Sequence, residues 1–398
     1  MVLYRNILFE QFKDFQDADV LVDAILGIGI RGHVRQPAKA AIELINDSQL
    51  PVIAMDIPSG LNSDTGIVAD VAVRADMTLT FIGMKQGLVT AQGRHYGGEL
   101  FVDAIGIDPV LNNVSPSGWL ADEQLLKQTL PVPVEYCHKG MMGHVVIVGG
   151  DEGMPGAVCL AAVGALRTGA GKVTVVTREK HFAIVMAKHS EFICLPIEKD
   201  WTQLQQLLKS ADVCLVGPGM TTSTWSQDAL SIVEQYQGIK IIDATALRLL
   251  CPKDGRLENT IITPHPGEAA ALLKSSSTEI EADRYGAVQL LYQKIADNVV
   301  LKGAGTIIRN SKQQTYVCTL GNSGLATAGT GDVLAGMLAG LAGHMRHLHE
   351  VAATGVVLHA YAADLVVEER GRLSLMASDL FSYIGLALKA IEKNDALV

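Results

Sequence analysis

Residues able to do phosphate chemistry are concentrated late in this 398-residue sequence, in the run GNSGLATAGTGDVLAGMLAGL. Gly329, Thr330 and Gly331 stand directly before an apolar helical segment. Amides opening a helix lack an intrahelical acceptor and lie at the positive end of a dipole worth about half a charge, so this is a hole for an anion. Asp332 follows at once. A carboxylate there either caps the helix or takes the proton of a hydroxyl that attacks a held phosphoryl group, and the glycines before it favour the second role. Lys302, Gly303, Ala304, Gly305 and Thr306 make a second phosphate candidate, with small residues for close backbone approach and a lysine for charge. This run matches neither the Walker pattern nor a kinase Gly-rich loop. Pro264-His265-Pro266-Gly267-Glu268 puts His265 on a rigid loop after the apolar run IITP, where a ligand contact and a structural role read equally well.

Near the N-terminus, Gly27, Gly29 and Gly32 spell GxGxxG after an apolar run, with Asp56 further on. The match to a dinucleotide site is weak, because Arg31, His33, Arg35 and Pro37 delay the helix until after the glycines. Asp23 lies inside VLVDAIL, where a carboxylate is costly to bury without a cation or several donors. Asp56 and Ser59 repeat the theme in AMDIPSGLNSDTG. These residues suggest a small cation with a polar ligand; carboxylates capping loop amides are the alternative. His344, His347, His349 and His359 lack the spacing of a zinc site and read as solvated or core residues. The scattered Cys137, Cys159, Cys194, Cys214, Cys251 and Cys318 read as buried reduced thiols.

The elements that must carry these residues alternate. ADVLVDAIL, a Gly-rich loop, PAKAAIELIND and PVIAMDI make a βαβ unit, followed by ADMTLTFIG and GELFVDAIGI. NNVSPSGW has the composition of a connection, which puts a domain boundary near residues 112 to 120, with 113–138 as linker and entry to a second domain. From HVVIVGG onward the alternation predicts a doubly wound α/β domain over 139–398 with ligands at the carboxyl ends of its strands; QTYVCTL is expected as its edge strand.

Lys and Arg total 32 against 42 Asp and Glu, a formal charge of −10, with no basic tract. That argues against nucleic acid and anionic membranes as partners, while a local nest of amides can still hold a phosphate. The longest strongly apolar, uncharged helical stretch, Val333 to Gly343, is too short to span a bilayer. The N-terminus lacks the pattern of a signal peptide, so a cytoplasmic protein is expected.

In its motifs the larger domain resembles the ribokinase-like ADP-dependent NAD(P)H-hydrate dehydratases. KGMMGHVVIVGG, GMPGAVCLAAVGALRTGAG, VGPGM, TPHPGEAA, LKGAGTIIR and ATAGTGDVLAGML occur in the family's order. VDAILGIGIRG and AMDIPSGLNSDTG resemble part of the Rossmann-like NAD(P)H-hydrate epimerase domain, so the whole chain resembles the bacterial bifunctional NAD(P)H-hydrate repair enzymes. The resemblance implies ADP-dependent dehydration of (S)-NAD(P)H-hydrate to NAD(P)H with formation of AMP and phosphate, plus epimerisation of the R and S hydrates. It assigns Lys302, Gly303, Ala304, Gly305, Thr306, Gly329, Thr330 and Gly331 to ADP or ATP, with Mg2+ on the phosphates. Ala157, Gly219, His265 and Asp332 would contact the hydrate, Asp332 as base. In the smaller domain Gly27, Ile28, Gly29, Ile30, Arg31, Gly32, His33 and Asp56 would contact hydrate, and Asp23 and Ser59 would bind K+. A homo-oligomer is expected.

The sequence departs from the family pattern in places. No Asn-Asn-Gly-Gly-Asp loop precedes Asp23, so roughly a hundred residues of the epimerase domain are expected to be absent and its activity impaired. Gly27-Ile28-Gly29 replaces Gly-Thr-Gly; Gly217-Pro218-Gly219-Met220-Thr221 ends in Thr where the family has Gly; and Asp243-Ala244-Thr245-Ala246-Leu247 has Thr245 for Asp. The alternative enzyme is an ATP-dependent small-molecule kinase of the same fold. A non-catalytic role of the first domain, in interaction or assembly, is the other reading.

Overall fold

The computed structural model describes residues 15, 18–107, 114–131, 136, 138–250 and 255–392. It forms two compact units, Met1–Ser117 and Gly118–Val398.

The smaller unit is a parallel four-stranded sheet in the order β1 (Leu21–Asp23), β2 (Val52–Met55), β3 (Met77–Phe81), β4 (Glu99–Asp103). Helix α1 (Ala38–Asp47) buries Ile42 and Ile45 against Leu21 and Val52, so its apolar stripe covers one sheet face. As the delayed helix start predicts, residues 27–35 form a loop, largely exposed apart from the buried Val34, and α1 opens only after Pro37. A short helix, α2 (Gly93–Tyr96), precedes β4.

The larger unit opens with β5 (Trp119–Ala121) and α3 (Glu123–Thr129). The alternating series follows as β6 (His144–Val148), α4 (Pro155–Arg167), β7 (Lys172–Thr177), α5 (Phe182–Lys188), β8 (Ile193–Pro196) and α6 (Thr202–Leu208). It continues through β9 (Val213–Val216), α7 (Thr224–Glu234), β10 (Ile239–Ile242), α8 (Thr245–Leu249) and β11 (Leu257–Ile262). Then come α9 (Pro266–Leu273), α10 (Ser277–Ala282), α11 (Arg284–Lys294), β12 (Ala296–Leu301), β13 (Thr306–Arg309) and β14 (Thr315–Cys318). Helices α12 (Thr330–Ala342), α13 (Leu348–Arg370) and α14 (Leu380–Glu392) close the unit.

Its ten strands are ordered β5-β14-β13-β12-β11-β10-β9-β6-β7-β8. All neighbours run parallel except at β12–β13 and β13–β14. From β6 the chain winds outward to β8, then returns to β9 on the other side of β6, which creates a switch point in strand order at the carboxyl ends of β6 and β9.

The structure corrects one expectation. β14 is an inner strand, because β5 pairs with it in parallel; WLA is too short and too close to the turn residues before it to read as a strand in the sequence. Helix α13, which carries charged residues, is longer than the uncharged stretch in α12 and is long and apolar enough to cross a membrane, but 78% of its most apolar 18-residue window is buried, as in a core helix. Helices α4 and α12 pack backbone to backbone: a Cβ on Gly336 would fall 2.0 Å from the Ala161 carbonyl oxygen. This contact seats the N-terminus of α12 on the sheet. Among the described cysteines, Cys159, Cys214 and Cys318 are buried and Cys194 is half-buried; Cys137 and Cys251 lie outside the described residues.

Candidate active site

The first turn of α12 is held from beneath. Gly329 takes φ 91° to turn the chain into the helix. The Thr330 hydroxyl donates to the carbonyls of Leu325 and Thr327 at 2.8 and 2.9 Å. His359, a core histidine on α13, donates from Nε2 to the Thr330 carbonyl at 3.0 Å. Burial drives the His359 pKa down to about 4, so the ring is neutral at pH 7 and its proton stays on this bond. With the turn fixed without help from Asp332, that carboxylate makes no hydrogen bond within the described residues. Burial, reinforced by Asp243 and opposed by Lys302, pushes its pKa up to about 7. A half-buried, unpartnered carboxylate poised near neutrality suits a general base better than a cap.

Beside it, Lys302 leaves the end of β12. Its Nζ donates to Asp243 Oδ1 at 2.9 Å and lies 3.9 Å from Glu268 Oε2. Thr263 Oγ1 donates to the same Asp243 oxygen at 2.6 Å. Burial alone would lower the Lys302 pKa, but Asp243 and Glu268 hold it above the ordinary lysine value, so the ammonium stays charged. That ammonium is 3.7 Å from where a Cβ of Gly331 would sit. Lysine loop and helix amides thus converge on one spot, where an anion meets a cation and a positive helix end together.

His265 caps α9: its Nδ1 accepts from the Gly267 amide at 2.9 Å, and Glu268 Oε2 accepts from the His265 amide at 2.9 Å. Its Nε2 is 3.4 Å from Glu268 Oε1. Burial, with Lys302 and Arg248, lowers the His265 pKa, while burial raises that of Glu268. The neutral ring serves the helix end and still lies at the strand-end surface, so both sequence readings keep a place.

The remaining expected hydrate contacts lie at the switch point. The Gly150 amide donates to the Pro218 carbonyl at 2.9 Å and the Asp151 amide to the Gly219 carbonyl at 2.8 Å, which joins the loops after β6 and β9. A Cβ on Gly219 would be 2.9 Å from that of Ala157, so these two expected residues are neighbours. Gly217 in turn packs against the Asp243 backbone, linking this crevice to the lysine cluster. The buried Asp151 carboxylate accepts from Thr221, from Ser223 at 2.5 Å, from Ser226 at 3.1 Å and from Arg178 at 2.8 Å. Despite burial, these donors hold its pKa well below the carboxylate range. Thr221, one departure from the family pattern, thus carries a hydroxyl bound to Asp151; Thr245, another, opens α8.

In the smaller unit Asp23 and Ser59 meet. Ser59 donates its amide to Asp23 Oδ2 at 2.7 Å and its hydroxyl to Oδ1 at 2.6 Å, and accepts from the Leu26 amide at 2.8 Å. A carboxylate and a hydroxyl are oxygen donors of the kind potassium takes, and they also satisfy one another, so cation and capping readings both fit. Gly27, Ile28, Gly29, Arg31, Gly32 and His33 lie on the exposed loop and Ile30 is half-buried. Ser63 Oγ donates to the Ile28 carbonyl at 3.3 Å, and His33 Nδ1 lies 3.8 Å from Asp70. Asp56 faces β3: its Oδ1 accepts from Thr80, the Phe81 amide and Lys85. Although burial opposes it, Lys85 and the other donors lower the Asp56 pKa.

Asp243, Asp151 and Lys85 receive no site role from the sequence, and His359 is read there only as solvated or core. Asp243 ends an apolar strand, the signal already used for Asp23, and could have been found so; the others are defined by partners far along the chain. Among the described residues no group of three or more His, Cys, Asp or Glu is arranged to hold a metal.

The profile of the NAD(P)H-hydrate dehydratase family matches residues 145–385, and that of the YjeF-related protein N-terminus matches residues 3–87. The chain is 41% identical to the bifunctional NAD(P)H-hydrate repair enzyme of Coxiella burnetii over 92% of its own length and 75% of the relative's. With the Escherichia coli bifunctional repair enzyme the identity is 37% over 92% and 71%. Among solved structures, the ADP/ATP-dependent NAD(P)H-hydrate dehydratase of Bacillus subtilis, co-crystallised with ATP and Mg2+, is similar with a TM-score of 0.63 and 27% identity, over 70% of this chain and all of that one.

Proposed function

The chain belongs to the NAD(P)H-hydrate dehydratase family and carries dehydratase and epimerase domains, and from that premise we propose how its residues work. The larger unit takes (S)-NAD(P)H-hydrate and ADP to NAD(P)H, AMP and phosphate. Hydroxide is a poor leaving group and a phosphate ester a good one, so the kinase-like architecture first phosphorylates the hydroxyl to be expelled. Asp332 takes the proton of the C6 hydroxyl as its oxygen attacks the terminal phosphorus and the bond to AMP breaks. The amides of Gly329, Thr330 and Gly331, with Lys302, stabilise the transferring group. The C6–O bond then breaks, a proton leaves C5 and the double bond returns. The observation that carries this reading is the unpartnered Asp332 carboxylate at the open end of α12, with a pKa near 7 and Lys302 beside it.

Ala157, Gly219 and His265 would contact the hydrate, and Lys302 to Thr306 the nucleotide. Mg2+ normally binds one or two carboxylates plus substrate phosphates, and Asp243 and Glu268 beside the anion spot fit that need; the ion would neutralise phosphate charge. In the smaller unit Gly27 to His33 and Asp56 would contact hydrate, with Asp23 and Ser59 as two oxygen ligands for potassium.

Incubation with hydrated NADH, Mg2+ and either ADP or ATP tests the reading. Recovery of reduced-nicotinamide absorbance, matched by AMP and phosphate from ADP, is the expected result. Accumulation of a stable phosphorylated product would overturn it in favour of the small-molecule kinase.

A further inference from the structure

Arg284, at the start of α11, has no place in the chemistry above, yet its side chain is almost wholly buried. Its guanidinium lies beneath the loop that follows β12. Nη2 donates to the carbonyls of Leu301 at 3.3 Å, Lys302 at 3.3 Å and Gly305 at 3.4 Å, while Nη1 donates to Glu281 at 3.2 Å. At Gly303, where φ is +142°, an added Cβ would lie 2.7 Å from Nη1. Side chain and loop are fitted to each other with no spare room.

We propose that Arg284 is the positioning residue of the nucleotide site, holding the Lys302–Thr306 loop in its phosphate-binding shape. The inference rests on the ADP-dependent reading of that loop. In a trans peptide the carbonyl and the next amide point in opposite directions. Tying the Lys302 carbonyl down to Arg284 therefore turns the Gly303 N–H away from the guanidinium, and that N–H donates to nothing within the described residues. The Lys302 amide is anchored separately, to the Pro264 carbonyl at 2.9 Å, so the residue that supplies the ammonium is fixed on both sides of its Cα. A buried guanidinium is costly, and an apolar side chain would fill the same space more cheaply. The loop offers it carbonyls, which orient without neutralising, and its carboxylate neighbour Glu281 is 43% exposed. The loop thus gains a fixed shape and a second positive charge below the phosphate position.

The test is calorimetric binding of Mg-ADP to the full chain and to Arg284→Lys, with steady-state KM values for nucleotide and for hydrate. Arg284→Lys keeps the charge but loses the planar fork. It is expected to weaken Mg-ADP binding by about tenfold to a hundredfold while the KM for hydrate changes less than about threefold. Gly303→Ala, which pushes on the same contact from the loop side, should produce the same split. Guanidinium ion added to Arg284→Ala should restore part of the nucleotide affinity. Unchanged Mg-ADP affinity in a folded Arg284→Lys, or an equal rise in both KM values, would overturn the proposal. Absence of Mg-ADP and Mg-ATP binding to the unsubstituted protein would instead overturn the nucleotide reading itself.

Discussion

If Asp332 is held for catalysis against its own preference, removing its charge should stabilise the fold. A carboxyl whose pKa rises from 3.8 to about 7 has its ionised form disfavoured by about 4 kcal/mol, at 1.36 kcal/mol per decade. The folded state then binds more protons than the unfolded chain between pH 4 and 7, so stability falls with rising pH through that window and levels off above 7. Asp332→Asn keeps the shape and drops the charge. Solvent reaches part of the side chain, so about 4 kcal/mol is a ceiling. At pH 8 the variant is expected to be about 2 to 4 kcal/mol more stable than the parent, and near pH 4 the two should coincide. All three tryptophans, Trp119, Trp201 and Trp225, lie in the larger unit, so urea denaturation followed by intrinsic fluorescence reports on that unit alone. Turnover should fall by at least about a hundredfold while Mg-ADP still binds. Equal or lower stability of Asp332→Asn at pH 8, or a difference that does not vary with pH, would refute the reasoning.

Asp243→Asn removes the negative neighbour of Asp332 and releases Lys302 to pair with it; both lower the Asp332 pKa, so the acidic limb of kcat/KM should move from near pH 7 down by about one pH unit or more. A pH–rate profile with an unmoved limb would count against the assignment. Asp151→Ala takes their shared acceptor from three hydroxyls and one of two close carboxylates from Arg178, which keeps Glu198 at 2.8 Å, and should cost the larger unit about 2 to 3 kcal/mol, read by tryptophan fluorescence in urea. A loss below about 1 kcal/mol would mean the cluster is loosely held. Gly219→Ala drives a Cβ to 2.6 Å from the Met154 carbonyl and 2.9 Å from Ala157, and should raise the KM for hydrate roughly tenfold with little change in Mg-ADP affinity. Calorimetry beside steady-state kinetics separates the two effects.

Much of this architecture is legible along the chain because its signals are local. Apolar runs bounded by glycine place the inner strands, and the glycines before an apolar helix mark the anion hole at Gly329–Gly331. The delayed start of α1 weakens the GxGxxG reading within the sequence itself. β5 escaped because three residues carry no periodicity; pairing with β14, nearly two hundred residues later, is what makes them a strand. Asp332 itself is visible in the sequence, but its state is not. Whether it capped the helix or stood free depended on His359 and Thr330 fixing the turn in its place, and its pKa depended on burial, then on Asp243 and Lys302 from the ends of two other strands. Arg284 has no local signature at all, since nothing around it in the sequence announces the carbonyls it meets. Order and local shape follow from short-range preferences of the chain. Charge state and loop posture arise from burial and from partners that only the folded sheet brings within a few ångströms.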